Sequence, residues 1–60
     1  MSEYVDYNNY HDGVKAALED IKEYGLEWAI DEVLGADPRN VYDRGYIETV
    51  VHEYERRYGQ

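Results

Sequence analysis

The chain has no cysteine and no phenylalanine, and only one proline, one tryptophan, one serine and one threonine in 60 residues. Without cysteine there is no disulfide, no thiol nucleophile and no cysteine metal site. Ser2 and Thr49 are the only hydroxyl nucleophiles besides tyrosine, and neither has a base placed beside it by sequence. The five glycines stand apart, at 13, 25, 35, 45 and 59, so no glycine-rich phosphate loop exists. His11 precedes Asp12, and His52 follows Glu48 by four residues on the same side of a helix. A Glu–His pair at that spacing can ligate a metal, but third and fourth ligands are missing and there is no HExxH arrangement. The pair therefore reads as a surface salt bridge or hydrogen bond. So short a chain has little room for a pocket of ~300 Å³. The expectation is a protein without enzymatic activity, cofactor or metal.

Basic residues are also scarce. Six lysines and arginines face fourteen acids, for a net charge of −8. Residues 1–37 hold ten acids and two lysines, whereas residues 38–60 hold four acids and four arginines. All the net charge thus lies in the first part. Direct nucleic-acid binding is disfavoured, because phosphate contacts need a basic surface. An acidic surface favours basic partners and speeds their encounter, and it also gives a small domain solubility. No apolar run approaches a membrane span, and the N-terminal MSEYVDYNNY has no signal-peptide pattern, so a cytoplasmic location is expected.

The most informative stretch runs from Asp12 to Gly35. Val14, Ala17, Leu18, Ile21 and Tyr24 recur at steps of three and four, one face of an α-helix. Asp12 suits an N-cap, with Gly13 loosening the helix start, and Gly25 suits a C′ position. Leu26, Ala29, Ile30, Val33 and Leu34 then form a second face at the same spacing, closed by Gly35. At ~100° per residue the second face points roughly 150° from the first. Two helices, about 13–24 and 26–34, with a bend at Gly25, resolve the conflict. The alternative is one continuous helix buried on both sides, for instance in a dimer. In a separate second helix Trp28 lies off the Leu26 face, toward solvent, where it could anchor a partner. In a continuous helix it joins the Val14 face and the core.

The acids of this stretch have their own period. Glu19, Glu23, Glu27 and Asp31 are spaced by four, with Asp20 and Glu32 beside them. On a continuous helix they form a ridge with one carboxylate every ~6 Å. A phosphate strand carries a charge every ~3.4 Å, so the ridge has roughly half that linear density. It is a partial likeness to nucleic acid, or an ordinary solvated helix face, and a bend at Gly25 would divide it. Glu19, Asp20, Glu23, Glu27, Trp28 and Asp31 are the candidate partner-binding residues.

The flanking segments complete a single all-α domain over 1–60. Tyr4, Tyr7 and Tyr10 lie in an irregular Tyr-rich N-terminal arm, with Ser2 as cap of a possible helical turn and Val5 with Tyr7 as an alternative short strand. Asn8-Asn9 favours a turn. Asp37-Pro38 suits an N-cap and first position, opening a helical turn over about 38–43 that Gly45 interrupts or that tolerates it. Ile47, Val50, Val51, Tyr54 and Tyr58 share a face of a final helix, about 46–58, closed by Gly59. A strand over 46–51 is the lesser alternative, since Thr49, Val50 and Val51 are β-branched. The sum is a small three-helix bundle. Eight tyrosines, each needing a hydroxyl partner if buried, make a fully dry core hard to assemble. The thin core makes a homodimer plausible.

The expected function is that of a non-enzymatic acidic protein that binds and inhibits a basic, nucleic-acid-binding protein, its acids standing in for phosphates. In size and charge alone the chain resembles the small acidic inhibitors encoded by phages and mobile elements, and no family motif is present. The alternative is a small helical homodimeric assembly or scaffold module. An antitoxin-like regulator would need a basic recognition helix, and Arg39, Arg44, Arg56 and Arg57 are too balanced by acids to supply one.

Overall fold

A computed structural model describes residues 7–59 of the chain. The fold is a three-helix bundle of α1 (Tyr10–Tyr24), α2 (Leu26–Val33) and α3 (Val41–Tyr58). No strand occurs among the described residues, so residues 46–51 are helical. None of these helices is long and apolar enough to cross a membrane. The Ser2 cap and the Val5 strand lie outside the described residues.

The break at Gly25 is where the two apolar phases required it. Its φ of 100° is open to glycine and strained for any residue with a Cβ. Its N–H donates to the Ile21 carbonyl at 2.8 Å and ends α1, while its own carbonyl accepts from Ala29 N–H at 3.2 Å and begins α2. The continuous helix over 13–34 is therefore excluded. α2 ends one residue short of expectation, because Leu34 is already extended (φ −62°, ψ 122°).

The other two helices start at different residues from those their sequence signals suggest. The N-cap of α1 is Asn9, not Asp12: its Oδ1 accepts from Asp12 N–H at 3.3 Å. The N-cap of α3 is Asn40, not Asp37: its Oδ1 accepts from Asp43 N–H at 2.8 Å, and an Asp43 carboxylate oxygen accepts from Arg39 N–H at 3.2 Å. The expected turn over 38–43 and the helix from 46 are instead one helix that runs through Gly45. Each helix thus opens with Asn-x-x-Asp followed closely by a glycine, Asn9 to Gly13 and Asn40 to Gly45.

Those two glycines explain why the helices continue. A Cβ at Gly13 would overlap the Tyr42 carbonyl oxygen and lie 3.0 Å from Tyr46 N, and one at Gly45 would overlap the Tyr10 carbonyl oxygen. The first turns of α1 and α3 therefore touch backbone to backbone. The hydrogen in place of each Cβ is aimed at a carbonyl of the other helix, a weak Cα–H···O contact. Gly45 costs α3 about 1 kcal/mol of helix propensity, and the close approach it permits offsets that cost. Tyr7 adds a further tie, its carbonyl accepting from Tyr42 N–H at 3.2 Å, a donor that α3 itself leaves unmatched. The Tyr7 ring stands edge-on to Tyr42 at 5.2 Å.

The core is small. Ala17, Leu26, Ala29, Val33 and Val50 are buried, with Ile21, Ile30, Tyr46 and Ile47 packed against them. The expected core face of α3 holds at Ile47 and Val50 but not beyond them. Gly45 and Val50 face inward with Tyr46 half-buried, whereas Val51, Tyr54 and Tyr58, expected on the core face, are exposed.

Candidate partner-binding surface

α2 joins α1 through a single residue and α3 through a short connection, so its flanks border grooves. One groove of about 380 Å³ lies between α2, the α2–α3 connection and the start of α3. Trp28, Tyr42 and Tyr46 line it together with Val33, Ala36 and Ile47, and so do four carboxylates, Asp20, Glu32, Asp37 and Asp43. No lysine or arginine lines it. On the other flank of α2, a groove of about 360 Å³ is lined by Glu27, Ile30, Asp31, Tyr54 and Tyr58, again without a base. Cavities of this size exceed what so short a chain was expected to hold.

The first groove is held in shape by hydrogen bonds. The Tyr46 hydroxyl donates to an Asp20 carboxylate oxygen at 2.6 Å, joining α3 to α1. Asp43 commits one oxygen to the Arg39 N–H. Glu32 and Asp37 are exposed and bonded to no other described side chain. The field of these acids acts on the phenols beside them. Tyr46 is held well above the ordinary tyrosine range, first by burial, then by its bond to Asp20 and by the charges of Asp20 and Glu32. Tyr42 is raised for the same leading reason, with Tyr7, Asp20, Asp12 and Asp43 adding to it. Each of these groups makes a negative phenolate costly at the groove.

The six residues expected to bind a partner are distributed by the bend at Gly25. Asp20 and Trp28 come together in the first groove, and Glu27 and Asp31 in the second. Glu19 and Glu23 are exposed on α1 and line neither groove. The ridge is thus two separate pairs. Trp28 keeps 38 % of its surface exposed, and its ring lies 4.5 Å from that of Tyr24. Glu32, Asp37, Asp43, Tyr42 and Tyr46 complete the first groove and were not among the expected site residues.

None of these acids forms an ion pair with a described residue. The only ion pair among the described residues is Arg56–Glu53, at 2.9 Å, on the exposed end of α3. Lys15 and Lys22 are exposed and make no ion pair with a described residue. Arg39 and Arg44 line a separate groove of about 580 Å³ with Tyr10, Asn40, Val41, Pro38 and Glu48. Glu48 is not paired with His52. It accepts from the Tyr10 hydroxyl at 2.5 Å, a stronger match across the α1–α3 seam. Thr49 and His52 line a common groove of about 320 Å³, but no hydrogen bond joins them. Among the described residues no three His, Asp or Glu side chains are grouped to hold a metal ion.

Comparison of the chain with protein-family models, with curated proteins and with solved structures gave no match.

Proposed function

We propose that this protein is a non-enzymatic acidic interaction protein. It occupies the basic surface of a nucleic-acid-binding protein and inhibits it, in the manner of a phage- or mobile-element-type inhibitor with partial DNA-mimic charge, in the cytoplasm. The observation that carries this reading is the unneutralised acidity of α1 and α2 around an exposed Trp28. Uncompensated carboxylates draw in a basic partner, and an aromatic ring beside them supplies apolar contact area. The mimicry is partial, because the bend at Gly25 leaves two short runs of charge in place of one strand-like row.

The test is a pull-down from nuclease-treated bacterial lysate, washed at low and at high salt. A nucleic-acid-binding protein retained at low salt and released at high salt is the expected result, since contacts between exposed charges are screened. Changing Glu19, Glu23 and Glu27 together to Lys should abolish that capture and leave the helical circular dichroism unchanged. Normal capture by the triple variant would end the charge-mimic reading. Trp28 emission should shift to the blue when the partner binds.

A second reading is a small helical homodimer that scaffolds a larger assembly. Val51, Tyr54 and Tyr58, left exposed on α3, favour it. It requires a native mass of twice the chain and an association that persists at high salt.

A further inference from the structure

The Trp28 groove differs from the rest of the acidic surface in combining three properties. It has aromatic walls, with Trp28 and Tyr46 among them, it has the volume of a side-chain pocket, and its charge is of one sign throughout. Its four acids are not equivalent. Asp20 and Asp43 each spend one oxygen on a bond within the fold, to Tyr46 and to the Arg39 backbone, and are thereby fixed. Glu32 and Asp37 make no hydrogen bond or ion pair with a described residue. Fixed acids set a negative potential, and open ones can accept hydrogen bonds from a cation.

Among the cations a protein presents, this combination discriminates. A lysine ammonium is compact and strongly hydrated, so it gains little from an aromatic wall and loses its water on entering a groove. A guanidinium is planar and weakly hydrated, stacks on aromatic faces, and offers a fork of donors to a carboxylate. A phosphate or a nucleic-acid strand is repelled by the same four acids. We infer that the Trp28 groove seats an arginine side chain of the basic partner, stacked on the aromatic wall with its fork on Glu32 and Asp37. The inference rests on the reading of the protein as a binder of basic partners and names the residue type that the partner must supply.

Oligo-arginine and oligo-lysine peptides of equal length, titrated into the full chain at one fixed salt concentration, test it by Trp28 fluorescence and calorimetry. The arginine peptide should bind about tenfold more tightly, the size of one good stacking and fork contact. The Glu32→Gln/Asp37→Asn variant should bring the two peptides to within about twofold of each other while both still bind. Both side chains are exposed and make no bond to a described residue, so its circular dichroism should match the parent. The charge-matched Glu19→Gln/Glu23→Gln variant should weaken both peptides equally and keep their ratio. Equal binding of the two peptides to the parent, or an arginine preference that survives in the Glu32/Asp37 variant, overturns the groove as an arginine seat and leaves the charge-mimic reading standing. Failure of both peptides to bind even at low salt overturns the charge-mimic reading, and the arginine seat falls with it.

Discussion

Where α1 meets α3, the helices touch through main chain: Gly13 lies against the Tyr42 carbonyl and Gly45 against that of Tyr10. Along the flanks of α2 the fold leaves clefts lined by half-open aromatic rings and unpaired acids. α2 has only eight residues, and its N-cap, Gly25, offers no side-chain hydrogen bond. A helix that short does not persist by itself, so Leu26, Ala29 and Val33, buried against the α1–α3 pair, must hold it. The contrast separates two jobs. The seam fixes the fold with atoms that a partner cannot reach, and the α2 flanks carry side chains the fold does not need for its own neutrality. Charge on those flanks can then be kept unpaired at little cost to stability, since exposed like charges repel by only a few tenths of a kcal/mol per pair.

That separation breaks first at the seam. Gly13→Ala or Gly45→Ala places a methyl group on backbone that cannot swing aside, and each should cost about 3 kcal/mol, the upper range for overpacking. In a domain this small, such a loss removes most of the folded population. Denaturant titration measures it. The double variant should cost less than the two losses added, because both glycines serve one contact. A loss within about 0.5 kcal/mol for either single variant, the level of an ordinary surface change, would mean that the seam does not organise the bundle.

A smaller effect belongs to the side-chain hydrogen bond that joins α3 to α1 at the Trp28 groove. Tyr46→Phe removes the hydroxyl that donates to Asp20. The bond is partly exposed to water, so the expected cost is about 1 kcal/mol by denaturant midpoint. Asp20 also loses its anchor, so the arginine preference of the groove should fall with the stability. A Tyr46→Phe variant with parental stability and parental preference would show that Asp20 is held by other means.

The reach of sequence reading follows the same division. The break at Gly25 was legible because two apolar faces roughly 150° out of phase cannot share a straight helix, a conflict written within twenty consecutive residues. The starts of α1 and α3 were not. Gly13 and Gly45 read locally as weak points, and the contact that turns them into close-packing sites joins residues distant in sequence. A signal was present in the repeated Asn-x-x-Asp and its following glycine, which marks two helix starts alike. On α3 the period placed Ile47 and Val50 inward correctly but extended that face too far, to Tyr54 and Tyr58, because tyrosine counts as apolar in a periodicity even where its ring stays exposed. Of the acidic groove, Asp20 and Trp28 were legible as an exposed acid and ring. Glu32 follows Trp28 by four residues on α2, a spacing the sequence shows, whereas Asp37 and Asp43 meet them only through the path of the α2–α3 connection, which no period encodes.

The smallest effect is a matter of pH, and its sign distinguishes a stabilising tyrosine from a merely exposed one. In the folded chain Tyr46 holds its proton well above the ordinary value of 10.0, chiefly through burial and through Asp20, and Tyr42 is raised as well, chiefly through burial. Below pH 10.0 both are neutral whether the chain is folded or not, and their contribution to stability is fully present. Above it the unfolded chain releases these protons while the folded chain keeps them, so the unfolded state binds fewer protons and stability falls as pH rises. Denaturant midpoints measured upward through pH 10.0 should therefore decline in the parent. In Tyr46→Phe, which starts lower at neutral pH, they should decline less steeply, since one raised phenol is gone and Tyr42 remains. Equal slopes would mean that Tyr46 titrates in the folded chain as it does in the unfolded one, and that neither its burial nor its bond to Asp20 holds its proton.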